Sequence, residues 1–175
     1  MSLLAVLRNL MSLPIIAIIG RPNVGKSTFF NRLIGERIAV TSHVAGTTRD
    51  RVYHEAEIGG YRCILADTGG MEFEKKKNIE ADVQLQARVA VSEADIIYFV
   101  LDATQPLIAS DRDCAQHLRK SKKPIILIAH KADNKKSDVH APQIYELGLG
   151  EAIPVSSIHN FGIPDVDAAT QKILK

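Results

Sequence analysis

One stretch decides the fold of this 175-residue chain: Pro14-Ile15-Ile16-Ala17-Ile18-Ile19-Gly20-Arg21-Pro22-Asn23-Val24-Gly25-Lys26-Ser27-Thr28-Phe29-Phe30. An apolar run ends at Gly20, four residues separate it from Gly25, and a helical pattern begins near Lys26. The two glycines permit backbone dihedrals that a side chain would forbid, so successive N–H groups can turn toward one anion. A strand, a glycine-rich loop and a helix in this order predict a phosphate-binding loop, whereas a chance match in a surface turn would need neither flanking element.

The chemistry of this loop suits a nucleoside triphosphate. The helix that follows contributes its unpaired N–H groups and the positive end of its dipole. Lys26 can reach the β- and γ-phosphates, and the hydroxyl of Ser27 can bind Mg²⁺. The loop alone leaves the identity of the base open.

The composition is that of an ordinary globular domain, with 46% hydrophobic and 24% charged residues. A net charge of +2 is too small to demand a nucleic-acid or membrane partner. Cys63 and Cys114 lack metal-ligand spacing and suit small buried hydrophobes in a reduced compartment. No apolar run reaches the roughly 18 residues of a membrane span. We therefore expect a cytoplasmic protein of one domain that does not enter a membrane.

The first residues stand apart from this domain. Leu3, Leu4, Leu7 and Leu10 form a short helical stripe that Arg8 interrupts, and no cleavage site follows. Residues 1–13 are predicted to be a leader or tag-like extension, either an expression leader or a natural one. The domain is expected over 14–175.

Hydrophobic patterns predict strands that alternate with helices. Strands are predicted over the apolar run before Gly20 and over 52–58, 61–66, 96–101, 125–129 and 152–155. Helices are predicted over 26–35, around 83–90, from Ser110 through Leu118, near 138–147 and over 164–174. Ser110 and Asp113 resemble a capping box, and Gly59-Gly60 predicts a hairpin. The expected fold is a doubly wound α/β domain with a mostly parallel six-stranded sheet, one antiparallel hairpin strand and helices on both faces.

Four predicted strands end in polar residues, at Gly20, Asp67, His130 and Ser156. Ligands of such sheets bind at the carboxyl ends of the strands. The four strand ends therefore predict one composite site. The polar residues 41–50 are expected to form an exposed loop, and the charged residues 71–79 a solvated one.

The order of these clusters resembles the five signature segments of Ras-like, TRAFAC-class P-loop G domains. A closer resemblance, to the first G domain of the ribosome-assembly GTPase family Der (EngA), is carried by Gly-Arg-Pro-Asn-Val-Gly-Lys-Ser-Thr (20–28), Gly-Thr-Thr-Arg-Asp (46–50), Asp-Thr-Gly-Gly (67–70) and Gly-Leu-Gly-Glu (148–151). The resemblance implies a slow GTPase switch, and a ribosomal or rRNA partner engaged through domains that this chain does not contain. We expect a monomer.

The resemblance also implies roles for single residues. The nucleotide would be bound by Asn23, Val24, Gly25, Lys26, Ser27, Thr28, Asp67, Gly70, His130, Lys131, Asp133, Ser156, Ser157 and Ile158. Mg²⁺ would be held by Ser27, by one of Thr47 or Thr48, with Thr48 favoured, and by Asp67 through a bound water. The N–H of Gly70 would sense the γ-phosphate. Thr48 and Gly70 together would hold two switch loops that hydrolysis releases.

Recognition of guanine is predicted to centre on Asp133, whose carboxylate can accept from both N1–H and the N2 amine. The N–H of Ser157 would meet O6, and Lys131 would lie along the base. His130 departs from the family's Asn-Lys-x-Asp pattern at residues 130–133, which we call the base loop. In that pattern the asparagine contacts the base and ties the base loop to the phosphate-binding loop (residues 20–27, the phosphate loop). A neutral imidazole donates one hydrogen bond and accepts one. We therefore predict weaker guanine binding with guanine preference retained.

Catalysis is expected to differ from that of many GTPases, because Met71 stands where they carry a water-orienting glutamine. In relatives with a hydrophobic residue there, a K⁺ ion assists, and Asn23 matches one of its ligands. The catalytic set implied is Lys26, Thr48, Gly70 and Asn23. The alternative is a weak or inactive docking module, favoured by His130 and Met71. An ATPase is disfavoured by Asp133.

Overall fold

The computed structural model describes residues 13–35, 52–67, 79–133 and 140–175. Along these residues the elements are β1 (Ile15–Ile19), α1 (Lys26–Gly35), β2 (Val52–Ile58), β3 (Tyr61–Asp67), α2 (Ile79–Glu93), β4 (Ile96–Asp102), α3 (Ala109–Ser121), β5 (Ile125–His130), α4 (Ala141–Tyr145), β6 (Ile153–Val155) and α5 (Ile163–Leu174). Of the predicted extension, residues 1–12 lie outside the described part of the chain.

The six strands form one sheet in the order β2-β3-β1-β4-β5-β6. Every neighbouring pair is parallel except β2 and β3. Gly59 and Gly60, with φ of 59° and 83°, form the turn between those two strands. The predicted doubly wound sheet with one antiparallel hairpin strand is confirmed.

The sheet is covered on both faces because its strand residues alternate between two apolar layers. Ile16 and Ile18 of β1 pack with Phe29 of α1 and Val166 of α5. The residues between and after them, Ala17 and Ile19, pack on the other face with helices α2, α3 and α4. Cys63 and Cys114 are fully buried, one in each layer, as predicted.

Two sequence predictions need correction. The helix α3 begins with Ile108 at the N-cap, and the carboxylate of Asp111 accepts the N–H of Ile108 at 3.1 Å, which is one half of a capping box. Ser110 is buried inside the helix instead, and its hydroxyl has no hydrogen-bond partner among the described residues. Within the described part of 138–147 the helix is shorter than predicted, beginning at Ala141 and ending at Tyr145.

Parallel pairing brings the carboxyl ends of the strands to one edge of the sheet. Asp67, Asp102 and His130 are the last residues of β3, β4 and β5, whereas Gly20 and Ser156 directly follow β1 and β6. These ends surround the start of α1. Among the described residues, no helix has the length and apolar character needed to cross a membrane.

Candidate nucleotide-binding site

The loop between β1 and α1 has the backbone of an anion-binding turn. Asn23 and Gly25 have positive φ values of 66° and 98°. The N–H of Phe29 donates to the carbonyl of Gly25 at 2.9 Å, an i to i−4 bond at the start of α1. The N–H groups of Lys26, Ser27 and Thr28 precede this bond and lie at the positive end of the helix dipole. The loop can therefore present several N–H donors to one phosphate.

Lys26 is the buried cation of the loop, with 7% of its surface exposed. Its Nζ donates to the carbonyls of Gly20 at 2.7 Å and Arg21 at 2.9 Å. Burial lowers the pKa of Lys26 to about 8, and the negative charge of Asp67 opposes this shift. The ammonium is held where its desolvation cost would be offset by a phosphate.

Oxygen ligands suited to Mg²⁺ lie at the same edge. The side chain of Ser27 is exposed at the start of α1. Asp67, at the end of β3, is 9% exposed and close enough to Lys26 for electrostatic interaction. A hydroxyl and a carboxylate are oxygen ligands of the kind that Mg²⁺ prefers. Thr47, Thr48 and Gly70, which were predicted to complete this part of the site, lie outside the described residues, as does Met71.

His130 joins two loops of the site. Its Nδ1 lies 2.9 Å from the carbonyl oxygen of Val24, and its Nε2 lies 2.7 Å from the hydroxyl of Ser157. The ring is 4% exposed and packs against Phe29, with ring centroids 6.1 Å apart. Burial lowers the pKa of His130 below its ordinary value. The histidine at position 130 therefore joins the base loop to the phosphate loop, which is the connection that the family resemblance assigns to asparagine.

Lys131 makes a second connection to the phosphate loop. Its Nζ donates to the carbonyl of Asn23 at 2.7 Å and to the carboxylate of Asp102 at 2.6 Å. The other oxygen of Asp102 accepts the N–H and the hydroxyl of Thr104 at 2.9 and 2.6 Å. Burial alone would raise the pKa of Asp102, but the hydrogen bonds from Lys131 and Thr104 hold it below its ordinary value.

Asp133 lies exposed beside the end of β6, and one of its carboxylate oxygens accepts the hydroxyl of Ser156. Ser156 is 1% exposed, so this bond fixes the carboxylate from inside the protein. Ser156 and Phe161 pair through two backbone hydrogen bonds of 3.0 Å, which close the turn that contains Ser157 and Ile158. The structure thus brings Asp133 and the 156–158 turn together.

A third set of contacts connects the phosphate loop to helices α2 and α3. The N–H of Gly20 donates to the side chain of Gln86 on α2 at 3.4 Å. The Nε of Arg21 lies 3.7 Å from the carboxylate of Asp111, which is fully buried at the start of α3. Burial raises the pKa of Asp111, and the charge of Arg21 opposes this shift. The loop is therefore held to two of the helices on that face, α2 and α3.

Sequence reasoning missed two residues of the site. Asp102 ends β4, and the rule that selected the other strand ends would have found it. Arg32 of α1 donates to the carbonyl of Ser157 at 2.7 Å and so stabilises the 156–158 turn. Nothing in its helical position indicated this long-range contact.

Comparison with known proteins agrees with this geometry. A family described as 50S ribosome-binding GTPase matches residues 15–131, from β1 to the residue after β5. The chain belongs to this GTPase family. Membership identifies it as a GTPase-family domain, and the predicted Ras-like G-domain fold is confirmed.

Within the 50S ribosome-binding GTPase family, the chain is similar to GTPase Der of Clostridium kluyveri. The two are 46% identical over 156 residues, which cover 89% of this chain and 36% of the relative. The chain thus spans about a third of the length of the curated relatives it matches. The predicted resemblance to a Der G domain is confirmed.

Two solved Era structures show similar folds. An Era variant from Aquifex aeolicus bound to GDP·AlF₄⁻ is 31% identical with a TM-score of 0.68, and the match covers 92% of this chain and 56% of Era. Era in complex with MgGDPNP and nucleotides 1506–1542 of 16S ribosomal RNA is 30% identical with a TM-score of 0.69 over the same shares of the two chains.

Proposed function

We propose that this domain is a Mg²⁺-dependent guanine-nucleotide switch that serves in the assembly of the large ribosomal subunit. The observation that carries the proposal is the joined pair of loops. Lys131 donates to the phosphate-loop carbonyl of Asn23, while Ser156 holds the carboxylate of Asp133 two residues further along. One ligand that bears a phosphate chain and a base with two adjacent donors satisfies both loops.

Binding of the phosphates rests on groups of this chain. The N–H groups of Gly25, Lys26, Ser27 and Thr28 would receive phosphate oxygens, and the ammonium of Lys26 would leave the carbonyls of its own loop for the β- and γ-phosphates. Ser27, Asp67 and Thr48 would hold Mg²⁺, which neutralises phosphate charge when bound. Phosphoryl transfer needs mainly such positioning and charge stabilisation.

Selection of guanine rests on Asp133. Guanine presents the N1–H and the N2 amine side by side, whereas adenine lacks that pair of donors. The hydroxyl of Ser156 orients the carboxylate, and the backbone N–H groups of Ser157 and Ile158 would face O6. Lys131, anchored to Asp102, would lie along the base.

Hydrolysis in this domain would be slow and assisted by K⁺. Met71 has a thioether in place of a side chain that could orient water. Asn23 has an exposed side chain on the phosphate loop and would be one ligand of the ion. Backbone carbonyls of residues 41–48 would supply others. Thr48 and Gly70 would sense the γ-phosphate and hold the switch loops until hydrolysis.

The ribosomal role is supported by analogy. The family is described as ribosome-binding, and one similar Era structure holds 16S ribosomal RNA together with MgGDPNP. A Der-type protein would engage ribosomal RNA through domains beyond this one. We propose a cytoplasmic protein whose G domain acts as a monomer. A docking module without nucleotide turnover is the weaker candidate, because His130 retains the bonds that join the two loops.

A titration of GDP, GTP and ATP with Mg²⁺, in KCl and again in NaCl, tests the proposal. We expect binding of both guanine nucleotides and none of ATP, with faster phosphate release in KCl. As a control, Asp133→Asn should strongly weaken guanine binding and leave the thermal unfolding of the protein nearly unchanged, because the amide oxygen can still accept the buried hydroxyl of Ser156. Equal affinity for GTP and ATP would contradict the proposed base site. Absence of any binding at millimolar guanine nucleotide would leave the docking module as the better account.

A further inference from the structure

The hydrogen-bond capacity of His130 limits what this side chain can do for a base. A neutral imidazole has one N–H donor and one acceptor nitrogen. The Nδ1 of His130 is engaged by the carbonyl of Val24 at 2.9 Å, and Nε2 by the hydroxyl of Ser157 at 2.7 Å. Both ring nitrogens are therefore committed to the protein.

The partners also fix the tautomer. A carbonyl oxygen only accepts, so the ring must donate from Nδ1 to Val24. Because burial keeps the ring neutral, Nε2 then carries no proton and accepts the hydroxyl of Ser157. The ring has no second donor.

Packing prevents the ring from turning to another partner. A Cβ added at Gly25 would overlap the Nδ1 and Cε1 atoms of the imidazole, so the ring lies directly on the backbone of the phosphate loop. Phe29 covers it from α1, and 4% of the residue is exposed. A new rotamer would break both hydrogen bonds inside a filled space.

The edge of guanine that carries N7 and O6 offers two acceptors, and each needs a donor to be read. Backbone N–H groups of the 156–158 turn can serve O6. By the family resemblance, the side chain at position 130 faces the base, and an asparagine there would offer an amide N–H as a donor for N7. His130 has no donor left for it.

We propose that His130 is a positioning residue that joins the base loop to the phosphate loop, and that this site does not read N7 of guanine. The inference rests on the proposed function and deepens it. Guanine would be selected through Asp133 and O6 alone. Asparagine at position 130 would add the missing donor.

The test compares the affinities of GDP and 7-deaza-GDP, in which a C–H replaces N7. We expect the wild-type domain to bind the two within about twofold of each other. His130→Asn should bind GDP about fivefold more tightly than 7-deaza-GDP, the worth of one neutral hydrogen bond. Ser157→Ala should weaken both nucleotides alike and leave their ratio near one, because it loosens the tie without adding a donor.

A second measurement is independent of any variant. A long-range ¹H–¹⁵N spectrum of the wild-type domain should show the His130 proton on Nδ1, both before and after GDP is added. A wild-type preference for GDP of fivefold or more, or a proton that moves to Nε2 when GDP binds, would overturn the inference and leave the proposed function intact. If neither nucleotide binds, the proposed function fails and this inference fails with it.

Discussion

The backbone of Gly25 lies directly against the imidazole of His130, and no Cβ fits between them. Gly25 also has a φ of 98°, which L side chains rarely adopt. Two requirements, one of dihedral and one of space, therefore fall on the same glycine. The lack of space for a side chain is caused by the ring of His130 and not by a bound phosphate.

We predict that Gly25→Ala lowers the free energy of unfolding by on the order of 2 kcal/mol, from backbone strain and displacement of the ring. Urea denaturation measures this loss. Gly60→Ala is the matched control, because Gly60 has a φ of 83° with open space around it and meets only the dihedral cost. The double variant Gly25→Ala/His130→Ala should lose less than the sum of the two single changes. Additive losses would mean that the contact with the ring is unimportant.

Lys26 should lower the stability of the domain at neutral pH in exchange for phosphate binding. Because its folded pKa of about 8 lies below the ordinary 10.5, the charged form is disfavoured by folding. The cost is fully present below pH 8 and disappears as the pH rises through 10.5. We therefore predict that Lys26→Met raises the free energy of unfolding at pH 7 by on the order of 1 kcal/mol while abolishing nucleotide binding.

Denaturation of nucleotide-free protein between pH 7 and 10.5 checks this prediction. The advantage of the methionine variant should shrink above pH 8. A variant that is less stable than the wild type at pH 7 would show that the bonds from Nζ to Gly20 and Arg21 outweigh desolvation. Lys120→Met on the exposed face of α3 serves as the control and should change little.

The strands were predictable because β4 and β5 are buried on both faces, and such strands are uninterrupted apolar runs. The glycine-rich loop was predictable because its spacing reflects local backbone geometry. The hydrogen-bond partners of His130 were not predictable from local sequence. Val24 lies 106 residues away along the chain, and Ser157 lies 27 residues away. The start of α3 was mispredicted because Ser110 fits a capping pattern but is buried in the first turn. The N–H of Ile108 is instead accepted by the carboxylate of Asp111.

Asp102 is predicted to hold Lys131 in position for the base. Asp102→Asn keeps the acceptor for Thr104 but places an amide against the ammonium of Lys131, so we expect a loss of about 1 kcal/mol in stability and a several-fold weaker GDP affinity at pH 7. Because the folded pKa of Asp102 is depressed, its contribution is present above the ordinary value of 3.8 and is lost as the pH falls through the folded pKa.

Urea denaturation at several pH values and a GDP titration test the Asp102 variant. The stability gap to wild type should be constant from pH 5 to 8 and close below about 3.8. Asp113→Asn, on the exposed surface of α3, provides a carboxylate control with no expected effect. A GDP affinity equal to that of wild type would mean that Lys131 is positioned without Asp102.

The last prediction concerns K⁺. If the side-chain oxygen of Asn23 is a ligand of the ion, removing that side chain should abolish the advantage of KCl over NaCl in GTP turnover. Asn23→Gly is the suitable change, because glycine tolerates the φ of 66° and keeps the carbonyl that accepts from Lys131. GDP affinity should then stay within a few-fold of wild type, while turnover in KCl falls to the NaCl rate.

Asn160→Gly, at another position of positive φ (53°), is the matched control and should retain the response to K⁺. A KCl advantage that survives Asn23→Gly would exclude the side chain as a ligand, and equal rates in the two salts for the wild type would remove K⁺ from the mechanism.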